Sequence, residues 1–493
     1  MLPIKQMGMI PFVVATVLVV VLLYFFMQLP SAGIGDASQY VCSAQNISQN
    51  GFFPGNWYAS GLGYPLMIIL THFLGFDWEW GARMLSLLAA LALLWLIGDT
   101  LSRFFNDSKA FLYILPFFFT YDFLTHAVLG YVGTIFTFFI FLSLNLWLRA
   151  HEKKSTSHSA NSHPILPSAL AFGIAIWTRT ASLFFIPFFI REAFRFHRTK
   201  NNFLAYGVVI LFIFAAAFLA SFNTRDDTSL SYLPLTAFAD AVFPNVIYYF
   251  LLFVQQFPVI LPFLVFVPIS LSALSRSRFY FWVIPSILGV LFFPLGVNLY
   301  YLFPVIPFLL YAGFKGMDTL FHRFFSVRVK EYVVGGGVLL SILILLPGIG
   351  LLPHTVERYQ EIDAGFSFLD HEYRAGKSFL LITGREGELF ATRWGNAQSC
   401  NFNRGPEMII HPYTVTHLYN QSDNSIHREA AQEKIDAARK KGIPIYVTSS
   451  AYVFAHEGWC PALGCISLPT PQPIPVFQKG VFILYAAQVS DKS

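Results

Sequence analysis

The sequence predicts an α-helical polytopic membrane protein that ends in a small α/β domain outside the bilayer. Three observations carry this. Hydrophobic residues make up 55% of the 493 and charged residues 12%, with Phe alone numbering 55, a balance that apolar solvent accommodates and water does not. The run Met9 to Leu29 is long enough to cross roughly 30 Å of hydrocarbon. Lys and Arg gather in short gaps between apolar runs, and none occurs between Lys5 and Arg83, so the positive-inside rule puts the basic gaps in the cytoplasm and the first long loop on the opposite face.

Taken in order, the apolar runs give about eleven spans, near 9–29, 81–102, 110–124, 127–149, 165–178, 181–195, 203–221, 258–275, 279–295, 299–314 and 332–352. No small-residue cleavage site follows the first, which therefore reads as a retained helix. The pair 165–178 and 181–195 is short for full crossings and needs shelter by protein or a thinned bilayer. Two aromatic-rich stretches, Tyr64–Phe76 and Val242–Phe257, are shorter still and break the charge rule as crossings. They read as interfacial or re-entrant helices walling a cavity.

The expected division is a membrane domain over 1–352 and an extracytoplasmic α/β domain over 353–493. From Pro353 charged residues return, and strand and helix patterns alternate through "KSFLLIT", "HREAAQEKIDAARKKG", "IPIYVTSS" and "KGVFILYAAQV". Gly442 after a basic last turn is a helix stop. The cytoplasmic linker "HEKKSTSHSANSHP" reads as solvated despite its histidines. Cys460 and Cys465 are spaced for a disulfide in an oxidising compartment, and Cys42 and Cys400 share that side, free or paired. No CxxC or zinc spacing and no internal repeat is present, the latter weighing against an inverted-repeat transporter.

Polar residues at the outer boundary are the candidates for chemistry. Asp36, in "GIGDASQY", lies at the outer end of the first span. A carboxylate there is either a solvated loop acid or a base facing a cavity. Asp122 and His126, in "TYDFLTHAVLG", lie at the next outer turn. Arg83 and Arg179 are the basic residues near outer ends of spans, where a cation is costly and commonly functional. Each is open to two readings, a phosphate clamp or a structural pair with a carboxylate such as Glu79. Arg225, in "NTRDDTS", is a phosphate candidate or a solvated charge, and Tyr301 is a phosphate donor or an aromatic anchor.

The stretch opened by Asp36 resembles the first outer loop of the polytopic GT-C glycosyltransferases that use polyprenyl-phosphate sugars, such as aminoarabinose transferases of lipid A and protein O-mannosyltransferases. Asp36, Tyr40, Ala44, Gly51, Tyr64-Pro65-Leu66 and Arg83 fall in the family's order. "YLFPVIP" supplies Tyr301, Pro304 and Pro307 of a late element, and "AFGIAIWTRTASLFFIP" puts Arg179 in a basic slot. The resemblance covers about residues 1–350. It implies inversion at an anomeric carbon, with Asp36 as general base and Asp122 as a second catalytic acid. Tyr40, Arg83, His126, Arg179, Arg225 and Tyr301 would bind substrate. The implied partners are a polyprenyl-phosphate-linked sugar, a glycan, lipid or protein acceptor, and membrane lipids, with no nucleic acid. The resemblance fixes no cofactor, and two acids and a histidine are chemistry for a divalent cation. A lipid-borne donor needs no nucleotide cradle, and no P-loop or GxGxxG is present.

The chain departs from the aminoarabinose transferases at Gly63 and Gln39, where those enzymes carry basic residues, which argues against lipid A aminoarabinosylation. Asn46-Ile-Ser48 is a glycosylation sequon inside the presumed site loop, which favours a bacterial inner membrane over an endoplasmic reticulum. A transporter or flippase of lipid-linked substrates is the alternative. It calls for ionisable residues in mid-span, whereas the acids here gather at one face.

Overall fold

The computed structural model describes residues 9–33, 36–51, 61–156, 165–196, 276–292, 299–321, 327–375, 379–382, 389–390, 393, 409–410, 433, 435–449 and 474–487, with 207, 211, 247 and 267 as single positions. The spans expected over 203–221 and 258–275 and the short helix over 242–257 lie outside the described residues. So do Arg225, Cys400, Cys460 and Cys465.

The membrane part is built from α1 (Met9–Gln28), α2 (Asp36–Asn50), α3 (Gly63–Phe73), α4 (Trp78–Phe105), α5 (Ala110–Phe118), α6 (Tyr121–Val128), α7 (Val132–Thr156), α8 (Ile165–Thr178), α9 (Ile186–Phe196), α10 (Arg276–Phe292), α11 (Ile306–Phe321) and α12 (Val327–Arg374). Among the described residues, α4, α7 and α12 contain stretches long and apolar enough to cross a membrane, and α5 with α6 makes a fourth if that bent pair is one span.

Local chemistry sets the breaks. Asp77 opens α4 by accepting from the amides of Glu79 at 3.0 Å and Trp80 at 3.4 Å, and Asn106 closes it in the left-handed region at φ 52°. The run read as one span over 110–124 is two helices. Pro116 disrupts the end of α5, Thr120 restarts the chain by accepting the Phe123 amide at 3.4 Å, and the two axes bend by 74°. The expected 127–149 span likewise begins inside α6, and α7 starts only at Val132. The segment read as a span over 299–314 starts as a 3-10 turn, Leu299–Leu302, before α11 begins.

Charged pairs tie the basic ends of the helices together. Asp99 near the end of α4 accepts from Arg103 at 3.0 Å, Arg149 of α7 at 2.8 Å and Asn145 at 2.9 Å. Asp107, in the α4–α5 turn, accepts from Lys315 Nζ at 2.7 Å and Tyr311 Oη at 2.9 Å of α11. Glu192 of α9, fully buried, pairs with Arg191 and, at 3.4 Å, with Arg278 of α10. These acids hold helix ends together.

α12 runs on through Pro353, where the composition changes, so that change falls inside a continuous helix. Its 48 residues extend about 72 Å at 1.5 Å each, more than twice the hydrocarbon thickness. Leu339, Leu340, Leu343, Leu346 and Leu351 are exposed along its first part, as suits a lipid-facing surface. Its second part packs on a five-stranded sheet of order β2-β1-β3-β5-β4, from β1 (Leu380–Ile382), β2 (Ile409–Ile410), β3 (Ile445–Thr448), β4 (Ile474–Lys479) and β5 (Phe482–Ala487). β1 lies parallel to β2 and β3; β5 is antiparallel to β3 and β4. The strand alternation divides the core. Leu380, Ile382, Ile445 and Val447 meet Ile435 and Ala438 on one face, while Phe379, Leu381, Phe482 and Leu484 meet Ile362 and Leu369 of α12 on the other. β4, "IPVFQK", is a strand that the sequence reading did not name.

The Asp107 latch has a pH signature. Burial alone would raise its pKa, but Lys315, the Lys109 amide and Tyr311 outweigh burial and hold it below the ordinary value. A lowered folded pKa means the contribution is complete above the unfolded value of about 3.9 and is lost as pH falls through the folded one. Asp107→Asn is expected to cost about 1–2 kcal/mol at neutral pH, with the gap to wild type closing below about pH 4; thermal unfolding in detergent checks both.

Candidate active site

Two buried arginines mark the outer end of the membrane part, and their surroundings assign them different work. Arg83, 2% exposed on α4, donates Nε to the Val128 carbonyl at 3.2 Å, one terminal nitrogen to the Leu29 carbonyl at 2.8 Å and the other to the Phe26 carbonyl. It thus satisfies main-chain oxygens at the ends of α1 and α6, which otherwise have no helical partner. The carboxylate suggested for it by the sequence, Glu79, is instead bonded to Arg393 and to the Ala32 amide. Arg83 is a clamp between helix ends.

Arg179 leaves the end of α8 in extended conformation and starts the 3-10 turn Thr180–Phe185. One terminal nitrogen donates to Tyr40 Oη of α2 at 2.5 Å, and the other donates to the hydroxyls of Tyr300 and Tyr301. Its guanidinium carbon also lies 5.3 and 5.1 Å from the centres of those last two rings, within range of a cation–π attraction. A tyrosine oxygen that accepts from a guanidinium keeps an O–H to donate. The cluster therefore combines a cation with hydroxyl donors, the chemistry that binds phosphate. Tyr300 was not singled out in the sequence. The doubled tyrosine beside Leu302-Phe303-Pro304 was the available signal, since a 3-10 turn lets adjacent rings reach one partner.

Glycine brings these elements together. A Cβ at Gly63 would stand 2.9 Å from the Thr178 nitrogen and the Trp177 carbonyl carbon, and one at Gly61 would stand 2.2 Å from the Thr178 oxygen. The start of α3 thus lies directly on the last turn of α8, the residue before Arg179. Tyr64 fixes the same junction: its hydroxyl lies 2.7 Å from the Gly130 carbonyl, to which it donates, and 2.9 Å from that of Ala82, with its ring edge-on to Tyr40.

The expected acids lie on α2, which carries Tyr40, and on α6. Asp36 opens α2, one turn before Tyr40; its side chain lies outside the described ones. Asp122 is in the first turn of α6 and His126 one turn later, a spacing that puts both on one helix face. The His126 ring is 4.8 Å from those of Tyr300 and Tyr131. Its Nδ1 is buried and, among the described residues, has no hydrogen-bond partner. Room for it exists because residue 133 is glycine: a Cβ there would stand 2.4 Å from Nδ1. Among the described residues no three His, Cys, Asp or Glu side chains converge as a metal site.

α2 carries two further findings. Cys42 is disulfide-bonded, which sits with an oxidising, extracytoplasmic compartment for this loop. Asn46, the sequon residue, is 3% exposed and accepts from Asn50 Nδ2 at 2.7 Å, leaving no room for a glycan.

No family model matches the chain, and no curated protein matches it. Solved structures do. The crystal structure of ArnT from Cupriavidus metallidurans bound to undecaprenyl phosphate aligns over 98% of this chain and 99% of its own, with a TM-score of 0.53 at 12% identity. The apo state of the same protein aligns over the same shares, with a TM-score of 0.55 at 13% identity. The chain therefore shares the overall fold of that protein.

Gly63→Ala is expected to force the α3–α8 contact apart and lower stability by about 1–3 kcal/mol. Thermal unfolding measures it, and an unchanged midpoint would mean that this close approach does not hold the cluster in place.

Proposed function

We propose that this protein is an inverting glycosyltransferase. It moves a monosaccharide from a polyprenyl-phosphate donor to a hydroxyl of a glycan, lipid or protein acceptor, at the periplasmic face of a bacterial inner membrane. One arrangement supports this above all: a buried arginine ringed by tyrosine hydroxyls, one helical turn along α2 from Asp36. That arrangement occurs in a chain with the fold of a protein crystallised with undecaprenyl phosphate.

In this reading the acceptor oxygen attacks the anomeric carbon from the face opposite the phosphate. Its proton passes to the Asp36 carboxylate, the bond from the anomeric carbon to the phosphate oxygen breaks, and the electron pair leaves with the lipid phosphate. Configuration inverts in the single displacement. General-base assistance of this kind contributes about 10²–10⁴-fold. Arg179 meets the charge that develops on the leaving phosphate, with Tyr40 and Tyr301 as hydroxyl donors and Tyr300 beside them. Asp122 and His126 hold the acceptor from α6. Arg225 supplies a further cation to the phosphate. Arg83 has no phosphate role here, because its donors already face main-chain carbonyls.

The test uses purified protein in nanodiscs with radiolabelled polyprenyl-phosphate sugars and candidate acceptors. Asp36→Asn is expected to lower transfer by about 100-fold or more. Tyr301→Phe, which keeps the ring and loses the hydroxyl, is expected to lower it by about ten-fold. Transfer by Asp36→Asn at the wild-type rate would sink this mechanism and leave a transporter or flippase of lipid-linked substrates as the reading to pursue.

A further inference from the structure

A polar cavity of about 360 Å³ lies at the junction of α2, the start of α4 and Arg393, and nothing in the mechanism above uses it. Pro30, Gln45, Gln49, Asp77, Trp78, Glu79, Trp80, Arg83 and Arg393 line it. Its size falls toward the lower end of the ~300–1,000 Å³ common for small-molecule sites.

The charges in this lining are already matched within the protein. Asp77 accepts from the Glu79 and Trp80 amides. Glu79 takes Nε of Arg393 at 2.9 Å on one oxygen, and the Ala32 amide at 3.1 Å on the other. Arg393 also donates to Asp363 at 2.5 Å, and its guanidinium is held more firmly protonated: burial opposes that, and Glu79 and Asp363 outweigh it. Arg83 is bonded to carbonyls. Two acids and two arginines leave the lining neutral in sum, so an anionic or cationic ligand finds no unbalanced charge.

What remains is amide and indole. Gln45 is 6% exposed, and its Oε1 is buried and, among the described residues, without a hydrogen-bond partner. Such an atom is costly unless a ligand or water completes it. Gln49 lies one helical turn further along the same face of α2. Trp80 is 39% exposed, a large flat surface left at the rim. A buried amide, an exposed one a turn away and an open indole suit a ring with hydroxyls at its edge and C–H groups on its face. We propose that this cavity binds an uncharged sugar ring, as part of a neutral glycan acceptor.

The site is distinct from the Arg179 cluster. Gln45 follows Tyr40 by five residues, which turns it about 140° away around the helix, so α2 stands as a wall between the two. Only the word acceptor rests on the glycosyltransferase reading; the binding itself does not.

The experiment is calorimetric titration of the purified protein in nanodiscs with maltotriose, mannotriose, galactotriose and chitotriose, beside an acidic trisaccharide of galacturonate. At least one neutral trisaccharide is expected to bind, with the acidic one weaker. Gln45→Leu keeps the shape and removes the unmatched oxygen, so a merely structural Gln45 predicts an unfolding midpoint equal to or above wild type and unchanged binding. The proposal predicts that same midpoint with binding about ten-fold weaker, and a similar loss for Trp80→Ala. Heat from none of the neutral sugars, tighter binding of the acidic one, or wild-type affinity in both variants would overturn it. Arg179→Gln separates the two claims: transfer lost with sugar binding intact supports both, whereas transfer intact in Arg179→Gln refutes the phosphate role alone.

Discussion

A guanidinium withdrawn from water at the end of a membrane helix must be surrounded by acceptors, and the outer half of this molecule is organised by how Arg179 obtains them. Tyr40 comes from α2, while Tyr300 and Tyr301 come from the turn before α11. Elements far apart in sequence therefore meet at one cation. The glycines at 61 and 63 let α3 settle against the residue preceding it, and Tyr64 ties α3 to α4 and to the α6–α7 turn at Gly130. A burial that would be unfavourable for an isolated charge becomes a geometric constraint, since every partner must arrive at the same few ångströms.

The two ends of the bundle treat charge differently. At the basic end, Asp99, Asp107 and Glu192 each pair with Lys or Arg from another helix. At the other end Arg83 donates to main-chain carbonyls, and Arg179 donates to tyrosine hydroxyls. Arg393 bridges Glu79 of α4 to Asp363 of α12. That bridge fastens the C-terminal region to the membrane part at the rim of the neutral cavity. An acid–base pair suits a joint between two units, where a fixed geometry matters more than net stabilisation.

Much of this was legible because it rests on long-wavelength signals. Apolar length marked α1, α4 and α8 to within a few residues. The break between α5 and α6 was missed because both halves are equally apolar, and only Pro116 and Thr120 record it. Arg83 and Arg179 look alike in sequence, each a lone cation near the outer end of a span. What separates them is whether neighbouring helices present carbonyls or tyrosines, and that depends on packing across more than a hundred residues. β4 escaped because its Pro475 and mostly exposed side chains give no buried alternation to read.

α2 shows why a polar segment in such a chain is the informative one. Its sequence, DASQYVCSAQNISQN, has little of the apolar character of its neighbours, yet Ser38, Ser43, Gln45 and Asn46 are all buried. A helix of that composition cannot face lipid, and as a plain core element it would carry a steep desolvation cost for each amide and hydroxyl. Held by the Cys42 disulfide and by the Gly33 amide bonded to the Leu129 carbonyl at 2.6 Å, it presents Tyr40 to one side and Gln45 to the other. Of these groups the Gln45 Oε1 is, among the described residues, without a hydrogen-bond partner. On the proposed glycosyltransferase reading, such a helix would stand as the wall between donor and acceptor.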